Sequence, residues 1–201
     1  MMLCFQDESG QPLFRSIHVD DVTELMTLMV SGTLGHWHMD FKKSEISFEV
    51  VTSHLLREYF QAGNNHPARD YPKFFSMEFP QAALSYEWRL SMLDVANVLT
   101  NPLVLDNPTL LADETVCRRR DGKANPRVWI DIFFIDQLAN NIPVELGVAQ
   151  EYYMLCILHI VAGSTSFLRR GWCLWELGLR AHARKESLIV GSLGNTVRPS
   201  T

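Results

Sequence analysis

The chain has 201 residues and a formal net charge of −5, with 47% hydrophobic and 20% charged residues. That length holds one ordinary domain or a domain with a helical extension, and the composition is that of a folded protein, not a disordered one. The acidic balance argues against a general nucleic-acid or anionic-membrane binder, because neutralising phosphates takes a surplus of Lys and Arg.

The first 75 residues show helical periodicity and little else. Val19 to Val30 sets Val22, Leu25, Met26 and Met29 on one stripe, and Ser31-Gly32 stops it. Glu45 to Phe60 sets Phe48, Val51, Leu55 and Tyr59 on another. Gln61 to Tyr71, rich in Gly, Asn, Pro and Asp, reads as a loop and a boundary. Residues 1–75 are therefore expected to form a helical extension ahead of an α/β domain spanning 79–201.

From Pro80 the texture changes. Ala82 to Tyr86 is a short apolar run ending in polar and aromatic residues, and Met92, Val95, Ala96 and Leu99 follow at helical spacing. Pro102 and Pro108 interrupt, Leu110 to Arg119 suits a further short helix, and Arg118 to Lys123 reads as a solvated turn. Arg127 to Ile135 (RVWIDIFFI) suits a strand covered on both faces. Asp136 to Pro143 is a loop, and the next helix carries Val144, Val148, Tyr152 and Leu155 on one face. Cys156 to Val161 (CILHIV) is a second buried strand, Gly163 to Ser166 a loop, Trp172 to Ala183 a helix, and Ser187 to Val190 the start of a last strand. This alternation predicts a parallel, doubly wound sheet with helices on both faces. Ligands of such sheets sit beyond the carboxyl ends of the strands, where strand order reverses.

Cys4, Cys117, Cys156 and Cys173 form no CxxC pair, which favours free thiols in a reducing compartment over disulfides or a zinc site. The N-terminal string MMLCFQDESGQPLF lacks the plan of a signal peptide, and the longest apolar run, Met154 to Ala162, is too short to span a bilayer. Cytoplasmic residence is the expectation. His36-Trp37-His38 has no carboxylate or Cys cluster nearby and reads as a loop with exposed imidazoles, so no metal site is expected. His159 reads as a hydrogen-bonded core histidine.

Three places carry candidate chemistry. After the first strand come Ser85, Tyr86, Glu87, Trp88 and Arg89. They fit a nucleotide pocket, with an aromatic face for a base and a guanidinium for a phosphate; they equally fit aromatics that cap the core beside solvated charges. Asp131 interrupts an apolar run, where a carboxylate is costly unless paired, and a tie to backbone amides or an Arg explains it slightly better than a binding role. In RGWCLWEL (Arg170 to Leu177), Trp172 and Glu176 share a helix face. A carboxylate framed by Trp172, Trp175 and Cys173 loses hydration, which raises its pKa or holds it against a substrate hydroxyl; the competing reading is a solvent-facing Glu on an amphipathic helix.

Together, ALSYEW (Ala83 to Trp88), RVWIDIFF (Arg127 to Phe134) and RGWCLWEL resemble the Toll/interleukin-receptor (TIR) domain family. The first looks like the family's first box, the second like its second strand, and the third like the Trp-Cys-x-x-Glu-Leu helix motif of its enzymatic members. The resemblance covers roughly Phe79 to Val190. It implies a flavodoxin-like parallel sheet of four or five strands with helices on both faces, and cleavage of the nicotinamide–ribose bond of NAD⁺. By position, Glu176 would be the catalytic carboxylate, with Trp172 walling the pocket. Ser85, Tyr86, Trp88, Arg89 and Asp131 would be the binding residues, with NAD⁺ the substrate. Asp136 to Ile142 would be the loop that joins subunits in this family, so a homo-oligomer built on TIR–TIR contacts is implied, with a role in immune or cell-death signalling. A non-catalytic interaction module with the same loops, and a base-exchange transferase, are the competing functions.

Overall fold

The apolar strings read as strands meet in one sheet. The structure, a computed structural model, describes residues 15–30, 71–134, 142–162 and 170–191. In chain order they form β1 (Ser16–His18), α1 (Val19–Val30), β2 (Phe75–Ser76), β3 (Ala82–Tyr86), α2 (Met92–Leu99), α3 (Pro102–Leu105), α4 (Pro108–Ala112), β4 (Cys117–Arg118) and β5 (Ala124–Asn125). There follow β6 (Arg127–Ile130), α5 (Asp131–Phe134), α6 (Ile142–Leu155), β7 (Leu158–Ala162), α7 (Gly171–His182) and β8 (Leu188–Val190).

The sheet has six strands in the order β2-β1-β6-β3-β7-β8, and β4 pairs with β5 separately. The run β6-β3-β7-β8 is parallel. The chain starts this run at β3, adds β6 on one side, and then adds β7 and β8 on the other. Strand order therefore reverses at β3. The remaining pairs, β1 with β6 and β2 with β1, are antiparallel. The N-terminal segment thus supplies α1 as read, but also two strands that the helical expectation did not contain. Ile17 pairs with Val128, so the sheet crosses the boundary expected between residues 75 and 79. The second expected helix, Glu45 to Phe60, and His36-Trp37-His38 lie outside the described residues, as do Cys4 and the Gly163 to Ser166 loop.

Alternation along each strand sorts the core into two layers. Ala82, Leu84 and Tyr86 of β3, with Val128, Ile130, Ile160 and Ala162, pack with Val22, Leu25 and Met26 of α1 and Met92, Val95 and Leu99 of α2. Ala83 and Trp129 pack on the other face with Ala149, Tyr152, Tyr153 and Cys156. There Tyr152 stacks between Trp129 at 5.1 Å and Phe79 at 5.3 Å. Leu155, expected to share the buried face of α6 with Tyr152, is instead 54% exposed, and Tyr153 takes the inward position.

Three local readings are corrected by capping chemistry. Pro102 and Pro108 do not merely interrupt. Each follows an Asn whose side chain accepts from the first-turn amides, so each opens a short helix, α3 and α4. The helix expected over Leu110 to Arg119 ends at Ala112, and Cys117–Arg118 turns back onto β5 through Gly122 at φ 82°. The strand expected over Arg127 to Ile135 ends at Ile130. Asp131 Oδ1 accepts from the Ile132 amide at 2.7 Å, which satisfies a first-turn donor and starts α5. The Arg118 to Lys123 run is more than a wet turn, since Arg119 ion-pairs with Asp20 of α1 and Arg118 donates to the Leu111 carbonyl.

Candidate active site

α7 crosses the second face of the sheet and turns Glu176 inward. Gly171 to His182 form the helix, with Cys173, Glu176 and Arg180 on its buried side. Glu176 is 2% exposed. Its Oε2 has no hydrogen-bond partner among the described residues. Burial raises its pKa from 4.5 to about 8, tempered by the Ser85 and Tyr153 hydroxyls and the Trp172 indole and reinforced by the Asp131 carboxyl. Ser85 and Tyr153 stand beside the carboxyl and also have other partners. The Tyr153 hydroxyl donates to the Leu84 carbonyl at 3.2 Å, and Ser85 Oγ shares a 2.6 Å hydrogen bond with His159 Nε2. The solvent-facing reading of Glu176 is therefore set aside.

Asp131 is the second buried acid, at the carboxyl end of β6. Trp88 Nε1 donates to its Oδ2 at 2.9 Å, and Tyr86 also bonds to it. Burial raises its pKa against these bonds and the Arg170 charge. Trp88 thus turns inward to hold a carboxylate. Tyr86, expected among the binding residues, is buried on the opposite sheet face from Ser85, because neighbouring strand residues point opposite ways. Both Ser85 and Tyr86 lie within β3 and not after it. Trp172 packs on Trp175 at 5.0 Å.

Of the residues read as a site, the structure brings Glu176, Ser85, Trp172 and Asp131 together, and Trp88 and Tyr86 through Asp131. Arg89 stands exposed on the turn after β3, with no described contact to this group. The expected subunit-joining loop, Asp136 to Ile142, lies outside the described residues up to Ile142. Sequence reading missed Tyr153 and Arg180. Arg180 is 1% exposed, and its guanidinium donates to the Tyr153, Cys156 and Glu186 carbonyls at 3.1, 2.7 and 2.8 Å. It caps the carboxyl end of α6 and ties it to the approach to β8. A cation in the last turn of an amphipathic helix is the only signal, and it does not say which carbonyls are met.

Among the described residues no three His, Cys, Asp or Glu side chains gather to hold a metal ion, and no helix is long and apolar enough to cross a membrane. No protein-family model, curated protein or solved structure matches the chain.

Proposed function

We propose that this chain is a TIR-type NAD⁺ glycohydrolase with a flavodoxin-like sheet, in which Glu176 is the catalytic carboxylate. One observation carries the reading: a carboxyl buried over the second sheet face, beside the strand where order reverses, whose Oε2 has no hydrogen-bond partner among the described residues. A buried unpaired acceptor costs free energy unless something binds there, and ribose hydroxyls are the donors it lacks. The resemblance of RGWCLWEL to the family's helix motif names the substrate.

The chemistry follows from charge. The bond from ribose C1′ to the nicotinamide nitrogen breaks, its electron pair leaves with a now neutral nicotinamide, and positive charge develops on the ribose. A carboxylate at the ribose stabilises that state. Water adds to C1′ and releases a proton, giving ADP-ribose; attack by a ring nitrogen of the adenine gives a cyclic isomer. Glu176 must be ionised for this role. The cationic nicotinamide ring favours its anion, and in the free protein the anion forms as pH passes about 8. Release of nicotinamide therefore rises with pH through that value. Trp172 walls the ribose, and Asp131, held by Trp88, reinforces the negative site.

With Glu176 at 2% exposure, substrate entry requires the covering side chains to part, a step that fits activation by self-association in immune or cell-death signalling. The same closure favours the second reading, a non-catalytic cytoplasmic interaction module, as does exposed Leu174 on the outer side of α7. Incubation with NAD⁺ separates the two. An enzyme releases nicotinamide and loses the activity in Glu176→Ala; an interaction module releases none at any protein concentration.

A further inference from the structure

A buried hydrogen-bond chain runs behind Glu176. His159, on β7, has no exposed surface. Its Nε2 shares a 2.6 Å hydrogen bond with Ser85 Oγ, and its Nδ1 shares one of 2.8 Å with Ser187 Oγ, just before β8. The Tyr153 ring packs edge-on against the imidazole at 5.3 Å. Burial, with the Arg180 charge nearby, keeps His159 neutral by lowering its pKa to about 3.

A neutral imidazole carries one N–H, so the two hydrogen bonds run in a common sense along the chain. With the proton on Nε2, His159 donates to Ser85 and Ser187 donates to Nδ1. The Ser85 hydrogen is then left for the carboxyl beside it. With the proton on Nδ1, Ser85 donates to Nε2 and gives the carboxyl nothing. An ionised Glu176 selects the first arrangement and a protonated one the second, and donation from Nε2 polarises the Ser85 hydroxyl further.

We propose that His159 and Ser187 are positioning residues: they turn the Ser85 hydroxyl hydrogen toward Glu176 whenever that carboxyl is ionised. The functional meaning rests on Glu176 being the catalytic group, but the hydrogen-bond chain needs no substrate. The other groups facing Glu176 are the Tyr153 hydroxyl from α6, Asp131 at the start of α5, and Trp172 and Cys173 on α7. Arg170 and Glu87 act on Cys173, and Arg170 also on Asp131. Arg180 is the charge that faces His159.

The test is a carbon-13 titration of the Glu carboxyls in the full chain, with the Glu176 signal assigned by its loss in Glu176→Gln. Ser85→Ala removes the oriented donor and raises the Glu176 midpoint by about one pH unit. His159→Phe raises it in the same direction. The Ser85→Ala/His159→Phe double variant goes no further than Ser85→Ala alone, because both changes act through one hydroxyl. His159→Gln, whose amide can still donate to Ser85, stays near the unsubstituted chain. Should His159→Phe fail to fold, Ser187→Ala is read instead; by releasing Nδ1 it raises the midpoint by a smaller amount. An unmoved midpoint in the variant read, or shifts that add in the double variant, overturns the proposal. Since no NAD⁺ enters the titration, this result stands apart from the nicotinamide assay. Shifts as expected with no nicotinamide release would sink the enzymatic reading and leave the positioning chain in place.

Discussion

Replacing Glu176 by Gln keeps the side-chain volume and removes a buried acid. The folded chain holds that acid protonated up to about pH 8, whereas unfolding returns it to 4.5. Between those values the folded state binds a proton that the unfolded state has released, so stability falls as pH rises. The window is about 3.5 pH units at about 1.4 kcal/mol each, which sets the full loss at on the order of 5 kcal/mol. Gln carries no such loss. His159 acts with the opposite sign: it is neutral in the folded state down to about pH 3 but titrates at 6.5 when unfolded, so its contribution is complete above 6.5 and is lost as pH falls. The slopes that His159 and the buried Asp131 add are common to the parent chain and to Glu176→Gln, so the Glu176 contribution is read from the difference between the two curves, which widens from pH 4.5 to about 8. Urea unfolding from about pH 4 to about pH 9 reads both curves. Parallel curves for the two proteins would refute the reasoning, since Glu176 would then titrate alike folded and unfolded.

Two further substitutions test the scaffold around the site. Arg180→Met removes the guanidinium that bonds the Tyr153, Cys156 and Glu186 carbonyls, leaving the Cys156 carbonyl only the Lys185 ammonium at 3.3 Å, and is expected to cost about 2–4 kcal/mol in urea unfolding. A loss within about 0.5 kcal/mol, the range of an ordinary surface change, would contradict the capping role. Trp88→Phe keeps the ring but removes the N–H that meets Asp131 Oδ2, which is expected to cost about 1–3 kcal/mol above the Asp131 pKa and less in acid, where that carboxyl is neutral. A pH-independent loss would mean that the indole contributes packing alone.

The parallel part of the sheet was legible because its strands are buried on both faces and so read as unbroken apolar strings, as in Ala82–Tyr86 and Leu158–Ala162. The two antiparallel strands were not. Ser16–His18 and Phe75–Ser76 are three and two residues long, too short to show any period, and long-range pairing with β2 and β6 makes β1 a strand. The end of β6 was hidden for a related reason. Ile132 and Phe133 are as apolar as the strand before them, and the break at Asp131 is decided by one side-chain bond to the next amide. Within the site, Glu176 could be singled out from its Trp-framed helix face, but its burial depends on where α7 crosses the sheet. Tyr86 and Ser85 illustrate the limit: adjacent in sequence, they face opposite layers, and only the strand's exact bounds decide which one meets Glu176.

The central claim concerns the Glu176 carboxylate acting on a ribose. It is tested most directly by nicotinamide release from NAD⁺ by the parent chain and Glu176→Gln, each checked for folding by urea unfolding at the assay pH. The account predicts release by the parent that increases through about pH 8, and none from a variant that is folded and more stable. Equal release from both proteins, or none from a concentrated, folded parent chain, would contradict it.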